Sequence, residues 1–221
     1  MQINTDFEIV GERLLKPALD ALDSCKHRRN CSEYSDADHL RVGTERVIQN
    51  EQSGRRWLLK CRLAREIYVT VRTFFKALES KRRTLMVSEV ADEVRLEVDG
   101  RASGTLHDEL SKHPELEGFA VYASDGHAHR AASHEKPIEG KIRAVTHIYS
   151  LNLRSHSMKH LALTTPATGK KKEHEICTLK RIGGGDLRMK EAKGVKVIHA
   201  YDPAIVDYRQ WHRWKQGRGV Y

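Results

Sequence analysis

Residues 194–221 read GVKVIHAYDPAIVDYRQWHRWKQGRGVY, and this stretch decides the fold. Its opening VKVIHA is a short, largely apolar and β-branched run, which is typical of a strand buried between helices. Asp202 follows the strand and precedes Pro203, so it is a good N-cap for a helix predicted over about 203–216. Because open α/β sheets bind ligands at the carboxyl ends of their strands, Asp202 is also a candidate site residue.

The predicted helix has one face expected to contact the sheet. Ala204, Tyr208 and Trp211 share that face at helical spacing. We also considered that Trp211 and Trp214 stack on a nucleic-acid base, although a core position is the commoner role for Trp211.

The composition indicates a folded protein. Of the 221 residues, 39% are hydrophobic, and they are spread along the chain. No apolar run approaches the ~20 residues that span a bilayer, and the first ten residues lack the hydrophobic core of a signal peptide. Four cysteines at irregular spacing form no disulfide framework. These features predict an intracellular protein without a membrane partner.

The net charge of +9 is unevenly distributed. Residues 1–135 carry 21 lysines and arginines against 23 aspartates and glutamates, a net charge of −2. Residues 136–221 carry 18 against 7, a net charge of +11. A basic segment of this kind attracts polyanions, of which nucleic acid is the most common, whereas the alternative is a solubilising surface.

Residues 1–100 are predicted to form a helical module. Apolar residues recur at helical spacing over 7–22, and further helices are predicted over about 36–49 and 55–79 and after residue 80. The helix over 55–79 has a basic side, for which we considered both DNA contact and simple solvation. Residues 101–117 are predicted to connect this module to the rest of the chain.

A second acid follows another apolar strand. The sequence GFAVYAS over 118–124 is compact and apolar, and Asp125 comes directly after it. Gly126 is predicted to let the chain turn away, which leaves the Asp125 carboxylate at the end or the edge of the strand.

Two more strands and a helix separate this acid from the strand that leads to Asp202. Strand patterns cover 142–153 and 161–164, and the short polar links favour an antiparallel meander. A helix is predicted over about 173–182, where three consecutive glycines end it.

Three strands, a helix, a strand and a helix follow one another, which is the ribonuclease H-like order. In that order the first and fourth strands are parallel neighbours, so Asp125 and Asp202 are expected to lie together. Two adjacent carboxylates repel each other unless they share a cation, and their oxygens suit Mg²⁺ or Mn²⁺. We therefore predict an α/β protein, α+β overall, in which a helical N-terminal module precedes an incomplete ribonuclease H-like mixed sheet with flanking helices.

Residues 118–221 resemble the catalytic core of bacterial insertion-sequence transposases of the DDE class. The stretches YASDGH and HAYDPAIVDYRQWHRWKQGRGVY are the most specific. The resemblance implies that Asp125 and Asp202 are the first and second catalytic, metal-binding acids, with Mg²⁺ or Mn²⁺ as cofactor. It also implies that Asp207 is a supporting acid, although Pro203 and Ala204 stand where the family more often has Arg and Glu. Residues 1–100 match the family's helical N-terminal region in position only.

The chain departs from this family at the third acid. That acid is a Glu in a Tyr-x-x-Arg-x-x-x-Glu-x-x-x-x-x-x-Lys signature, which occurs nowhere in these 221 residues. We therefore expect a truncated or split transposase that is inactive alone. The resemblance further implies a cytoplasmic, nucleoid-associated protein, double-stranded DNA at insertion-sequence ends as partner, and a homodimer on paired ends.

Basic side chains of the +11 segment are the candidate phosphate contacts. They are Lys170, Lys171, Lys172, Lys180, Arg181, Arg209, Arg213 and Lys215.

Other functions remain open at this point. A metal hydrolase could use the cluster Asp125, His127, His129 and His134, whose imidazoles would favour zinc. A protein that binds DNA without cutting it would follow from the loss of the third acid. A zinc site drawn from Cys25, His27, Cys31 and His39 fits no standard finger spacing.

Overall fold

A computed structural model describes residues 3–31, 33–51, 53–64, 67–102, 108–129, 145–164, 173–203 and 205–221. The chain forms an α/β structure that divides into two compact units, Met1–Leu96 and Glu97–Tyr221. The division falls inside a helix, a few residues before the predicted end of the helical module.

Unit 1 is helical, as predicted. Its helices are α1 (Ile3–Ser24), α2 (Asp36–Ile48), α3 (Gly54–Leu63), α4 (Val71–Leu78) and α5 (Lys81–Ala102), the last of which extends into unit 2. Helix α2 has a capping box at its N-terminus. The Ser35 side chain accepts a hydrogen bond from the backbone N–H of Asp38, and the Asp38 side chain accepts one from the backbone N–H of Ser35. Such a capping box satisfies N–H groups that have no partner inside the helix.

The single helix predicted over 55–79 is wrong, because the structure has α3 and α4 there. Thr70 is the N-cap of α4, and its side chain accepts from the backbone N–H of Thr73. Ile67 and Val69 are buried in the core next to Trp57, so the segment before Thr70 is held in the core. This burial of β-branched residues outweighs the helical spacing of the sequence.

Unit 2 contains a four-stranded mixed sheet. Two short 3₁₀ turns (Glu109–Lys112 and Pro114–Leu116) precede β1 (Phe119–His129), β2 (Val145–Asn152), β3 (Met158–Leu163), α6 (Glu175–Leu187), β4 (Lys196–Tyr201) and α7 (Tyr208–Arg218). The strand order is β3-β2-β1-β4. β1 pairs antiparallel with β2 and parallel with β4, and β2 pairs antiparallel with β3. The predicted meander and the predicted parallel pair are therefore confirmed.

Helices α6 and α7 pack on one face of this sheet. Tyr122 of β1, Leu179 of α6 and Trp214 of α7 belong to the same buried core. Gly184 lets the two helices approach closely, since a Cβ at this position would lie 3.1 Å from Trp214 Cδ1. The glycine run interrupts α6 at Gly183, which has φ 79°, but the helix continues to Leu187 beyond the predicted end.

The start of α7 differs from the prediction. The helix begins at Tyr208 with Asp207 as its N-cap, and Asp202 instead closes a turn in which its carbonyl accepts from Ile205 N–H at 2.8 Å. Ile205 is 3% exposed, so burial of this side chain fixes the turn before the helix can start. As a result Tyr208 is exposed rather than inward, and Trp214 is the deeply buried residue of α7.

The last residues of the chain extend the sheet beyond β4. Val220 forms a parallel bridge with Val197, and Tyr221 N–H donates to the Val197 carbonyl at 2.7 Å. Residues 219–221 therefore lie beside β4 in the position of a further parallel strand.

Candidate functional site

The register of β1 and β4 places the two predicted acids side by side. The last parallel pair is Ser124 with Tyr201, so the next residues of the two chains are Asp125 and Asp202. Neighbouring strands lie about 4.8 Å apart, which sets the scale of the separation between these backbones. β1 and β4 are parallel neighbours as predicted, and Asp202 directly follows the last residue of β4.

Asp125 is not at the end of its strand, so the first of the two predicted positions, the end or the edge, is wrong. β1 continues through Gly126 to His129 because those residues pair with β2, whereas β4 has already ended at Tyr201. Among the described residues, no strand pairs with this edge of β1 beyond Ser124. There the Asp125 carboxylate accepts a hydrogen bond from Gly126 N–H at 2.7 Å.

Asp125 lies on the face of the sheet opposite α6 and α7. Tyr122 and Ser124 of β1 point toward the helices, and side chains alternate along a strand, so Asp125 points the other way. Asp125 and Asp202 are both exposed. Two exposed carboxylates at one level of a sheet can together bind one hydrated cation.

A histidine and tyrosine cluster adjoins this pair across the sheet. Tyr149 is the β2 partner of Asp125, and His160 is the β3 partner of Tyr149. His147 Nδ1 lies 3.0 Å from His160 Nε2, and the His147 ring stacks on Tyr149. Burial lowers the pKa of His160, against a smaller opposing effect of a hydrogen bond to the Ala162 backbone. Sequence reasoning missed this cluster, although the alternation in HIYSL places His147 and Tyr149 on one face.

Glu175 is a second feature that the sequence did not reveal. It is the first residue of α6, and its carboxylate oxygen lies 2.3 Å from where a Cβ on Gly126 would stand. A side chain at position 126 would therefore collide with Glu175. The glycine that follows Asp125 thus permits a close approach of α6 rather than the predicted turn.

A buried chain of hydrogen bonds supports the strands beneath the acids. His199 Nε2 lies 2.8 Å from the Leu187 carbonyl, which can only accept, so Nε2 carries the proton. His199 Nδ1 lies 3.1 Å from the Ser124 hydroxyl, which donates to the Ser150 hydroxyl at 3.0 Å. Burial of the ring lowers the pKa of His199 and so favours the neutral imidazole.

We expect His199 to make the folded protein sensitive to acid. Burial lowers the pKa of His199 to about 4 from an unfolded value of 6.5, despite the opposing hydrogen bond to Leu187. The folded state resists the proton that the unfolded state binds, so this stability is complete above pH 6.5 and is lost as the pH falls toward 4. The largest loss is about 3 kcal/mol.

Urea unfolding of unit 2 at several pH values checks this expectation. The variant His199→Asn lacks the titrating group. In this variant we expect unfolding of unit 2 at acidic pH to take up about one proton fewer than in the wild type, so that the free energy of unfolding depends less steeply on pH. The control is His39→Asn, because burial also lowers the pKa of His39 to about 4, but in unit 1. An unchanged pH dependence of unit 2 in His199→Asn would contradict the expectation.

Asp207, the predicted supporting acid, has a local structural role. Its carboxylate caps α7 by accepting from Gln210 N–H and pairs with Lys180 of α6 at 2.5 Å. The hydrogen bonds from Lys180 and from the Gln210 backbone lower the pKa of Asp207. This acid therefore joins the two helices on the face opposite Asp125.

The predicted DNA-binding residues occupy different environments. Lys180 pairs with Asp207, and Arg181 pairs with Glu173 while donating to the Leu163 carbonyl. Arg209 and Arg213 are exposed on the outer side of α7. Lys215 lies over the Tyr221 ring at 5.0 Å. Lys170, Lys171 and Lys172 fall outside the described residues.

The described residues contain no group of three His, Cys, Asp or Glu side chains that could hold a metal ion. This applies to Cys25, His27, Cys31 and His39, where the Cys25 thiol donates to Glu89 instead. In the alternative cluster beside Asp125, His127 is exposed. His134 and the His129 side chain lie outside the described part of the chain.

Comparison of the chain with protein-family models, with curated proteins and with solved structures finds no match. Among the helices in the described part of the chain, none has the length and apolar character needed to cross a membrane.

Proposed function

We propose that this protein is a DNA transposase of the DDE type, or derives from one, and that it acts on DNA at Asp125 and Asp202. The observation that supports this proposal is the parallel register of β1 and β4. It brings two acids from distant parts of the sequence to one level of adjacent strands. Two exposed carboxylates at this level could bind one hydrated cation together.

A divalent ion of the Mg²⁺ type fits this pair of acids. Mg²⁺ is often held by one or two carboxylates, while water and substrate phosphates complete its coordination. Asp125 and Asp202 would supply these carboxylates, and Mn²⁺ accepts the same oxygen ligands. When bound, such ions would activate the attacking hydroxyl and stabilise the leaving oxygen of a phosphodiester.

The protein's own residues orient the reaction in this proposal. The hydrogen bond from Gly126 N–H holds the Asp125 carboxylate in place before substrate arrives. Asp202 stands at the end of a buried strand, and the following turn to Ile205 fixes its backbone. Pre-oriented groups lower the entropic cost of reaching the transition state.

The basic segment 136–221 would bind the double-stranded DNA of insertion-sequence ends. Residues 136–221 carry a net charge of +11. Arg209 and Arg213 are exposed one helical turn apart on α7, where both can reach phosphates. A homodimer on paired DNA ends completes the proposed assembly.

Metal dependence tests the proposal. The purified chain is incubated with supercoiled DNA, with Mg²⁺, Mn²⁺, Zn²⁺ or EDTA added in separate reactions. The proposal expects DNA binding, and strand nicking that needs Mg²⁺ or Mn²⁺. Cleavage with Zn²⁺ alone would indicate a hydrolase of the His/Asp type, and binding without any nicking would indicate a protein that only binds DNA.

Salt dependence is expected to reveal how many phosphate contacts the protein makes. We expect the triple variant Lys170→Ala, Lys171→Ala, Lys172→Ala to reduce the slope of log affinity against log salt concentration by about two to three. The control variant is Lys112→Ala, which removes a lysine paired with Glu109. Equal slopes for the triple variant and the wild type in anisotropy titrations would exclude these lysines from the interface.

A further inference from the structure

A cross-strand pair of histidines lies on the face of the sheet opposite α6 and α7. His147 Nδ1 of β2 and His160 Nε2 of β3 lie 3.0 Å from each other. His160 is exposed and His147 is half-buried, so both rings lie at the surface of the sheet. Neither ring has a role in the proposed DNA reaction, in which Asp125 and Asp202 bind the metal ion.

An irregularity of β3 places His160 on this face. β3 has one extra residue, Leu161, at the register shift between Ile148 and Tyr149. In a regular ladder Leu161 would stand opposite Tyr149, and His160 would stand opposite the next residue of β2, on the face that the helices cover. With the extra residue, His160 instead stands opposite Tyr149, on the face of His147. Re-aiming a side chain in this way is a common effect of a β-bulge.

The spacing of the two ring nitrogens matches a pair of metal ligands. Histidine nitrogens bind Zn²⁺ at about 2.0–2.1 Å. At that bond length, two ligands at right angles stand about 2.9 Å apart, and two tetrahedral ligands stand about 3.3 Å apart. The observed 3.0 Å between His147 Nδ1 and His160 Nε2 lies between these values. An ion therefore fits both nitrogens after small rotations that turn the two lone pairs toward one point.

The hydrogen bonding of His160 suits a metal ligand. Nε2 faces His147, which leaves Nδ1 for the hydrogen bond that the ring makes with the Ala162 backbone. Burial lowers the pKa of His160 and this hydrogen bond opposes the effect, as expected where the ring is the donor. A proton on Nδ1 leaves the lone pair on Nε2. Histidines that bind metals commonly donate their other N–H to a backbone carbonyl, which fixes this tautomer.

The ligand type selects the class of metal. Imidazole nitrogens suit Zn²⁺, Ni²⁺ and Cu²⁺, whereas Mg²⁺ and Mn²⁺ prefer oxygen ligands. Within the described ranges, no group of three His, Cys, Asp or Glu side chains could hold a metal. Water would therefore complete the coordination of an ion on this pair, and the water positions would be open to a further ligand.

We propose that His147 and His160 together bind a divalent transition-metal ion of the Zn²⁺, Ni²⁺ or Cu²⁺ type. The ion would join β2 to β3 at the bulge, apart from the proposed oxygen site of Asp125 and Asp202. This site does not depend on the proposed function, since no step of DNA cleavage uses it. The alternative is a hydrogen bond between the two rings alone, which requires no affinity for metal.

Calorimetric titration with Ni²⁺ tests the site, because Ni²⁺ is suited to imidazole ligands. The full chain is titrated in excess Mg²⁺, which competes for oxygen sites. We expect saturable binding by the wild type, weakened at least roughly tenfold in His147→Ala and in His160→Ala. Even residues that only support a metal ligand contribute about 10- to 100-fold to affinity. Urea unfolding of each variant without metal checks that the fold is intact.

Two further variants locate the ion. His212→Ala removes an exposed histidine of α7 and is the matched control, with wild-type affinity for Ni²⁺ expected. Asp125→Asn is also expected to keep this affinity, because the proposed ligands are the two imidazoles. Electron paramagnetic resonance of bound Cu²⁺ gives an independent measurement, in which the wild type should show coupling to nitrogen ligands that His160→Ala reduces.

The result separates failure of this site from failure of the proposed function. Absence of saturable Ni²⁺ binding, or wild-type affinity in either His147→Ala or His160→Ala, overturns the site even where Mg²⁺-dependent nicking is observed. An equal loss in Asp125→Asn would overturn it as well, because the ion would then belong to the acid pair. Affinity that both histidine variants lower and the other two variants keep supports the site even where the chain does not nick DNA.

Discussion

Replacing Asp202 by asparagine is expected to lower the rate of metal-dependent strand nicking by roughly 100-fold or more. The amide keeps the size of the side chain but removes the negative charge that would hold a divalent ion. Metal ions contribute several kcal/mol to the stabilisation of a phosphoryl transition state, and each 1.4 kcal/mol is a factor of ten in rate. Asp125→Asn is expected to behave in the same way, because the register places both acids at one level.

A matched control and the metal itself make this result specific. Asp186→Asn removes an exposed acid near the end of α6 and is expected to nick DNA at the wild-type rate. Both site variants are expected to retain the wild-type affinity for DNA in EDTA, since phosphate contacts come from basic residues. Wild-type nicking by both Asp125→Asn and Asp202→Asn would eliminate this pair as the metal site.

Strand transfer is expected to be absent even where nicking occurs. The third acid signature of the DDE class does not occur in these 221 residues, and two carboxylates give few ligands for a pair of metal ions. Among the acids present, Asp207 caps α7 and pairs with Lys180, whereas Glu175 stands next to Gly126. Strand transfer that Asp202→Asn abolishes would show that an acid of this chain completes the site.

Replacing Asp36 by asparagine is expected to destabilise unit 1 by about 3–5 kcal/mol. Asp36 is 2% exposed, and the Arg82 guanidinium donates two hydrogen bonds of 2.7 Å each to its carboxylate. Arg83 donates to it at 3.1 Å, and Arg29 N–H donates at 2.8 Å. The asparagine would leave two guanidinium groups, one of them 6% exposed, without an opposing charge.

The pKa of Asp36 agrees in sign with this expectation. Burial alone would raise it, but the hydrogen bonds from Arg82 and from the Arg29 backbone outweigh burial and lower it. A lowered folded pKa means that the charged acid stabilises unit 1 above the unfolded pKa of about 3.9, and that this stability is lost as the pH falls further. The loss in Asp36→Asn should therefore be complete at neutral pH.

Urea unfolding followed by Trp57 fluorescence measures this loss, because Trp57 belongs to the core of unit 1. The control is Asp38→Asn on the same helix, a half-exposed member of the capping box that is expected to cost about 1 kcal/mol. Equal losses in the two variants would mean that the buried charge network contributes no more than an ordinary helix cap.

Local sequence patterns predicted the elements of unit 2 and their order. The alternation and β-branching in GFAVYAS and VKVIHA indicated buried strands, and each is followed directly by an acid. Parallel pairing of β1 with β4 then follows from the order of elements. The prediction that β1 and β4 are parallel neighbours succeeded because the patterns that define the two strands depend on residues close together in the sequence.

Long-range packing decided where these elements begin and end. Asp202 and Asp207 are both good helix caps by sequence, and the burial of Ile205 and the ion pair with Lys180 selected Asp207. Pairing with β2 carried β1 past Asp125, where a glycine predicted a turn.

The sequence by itself determined the α/β class and the strand order, because hydrophobic periodicity and short-range turn chemistry specify them. Only the tertiary structure placed Glu175 over Gly126 and His147 beside His160. Each of these contacts joins elements that are separate in the chain. Their geometry depends on how side chains fill space between strands and helices, which no local pattern encodes.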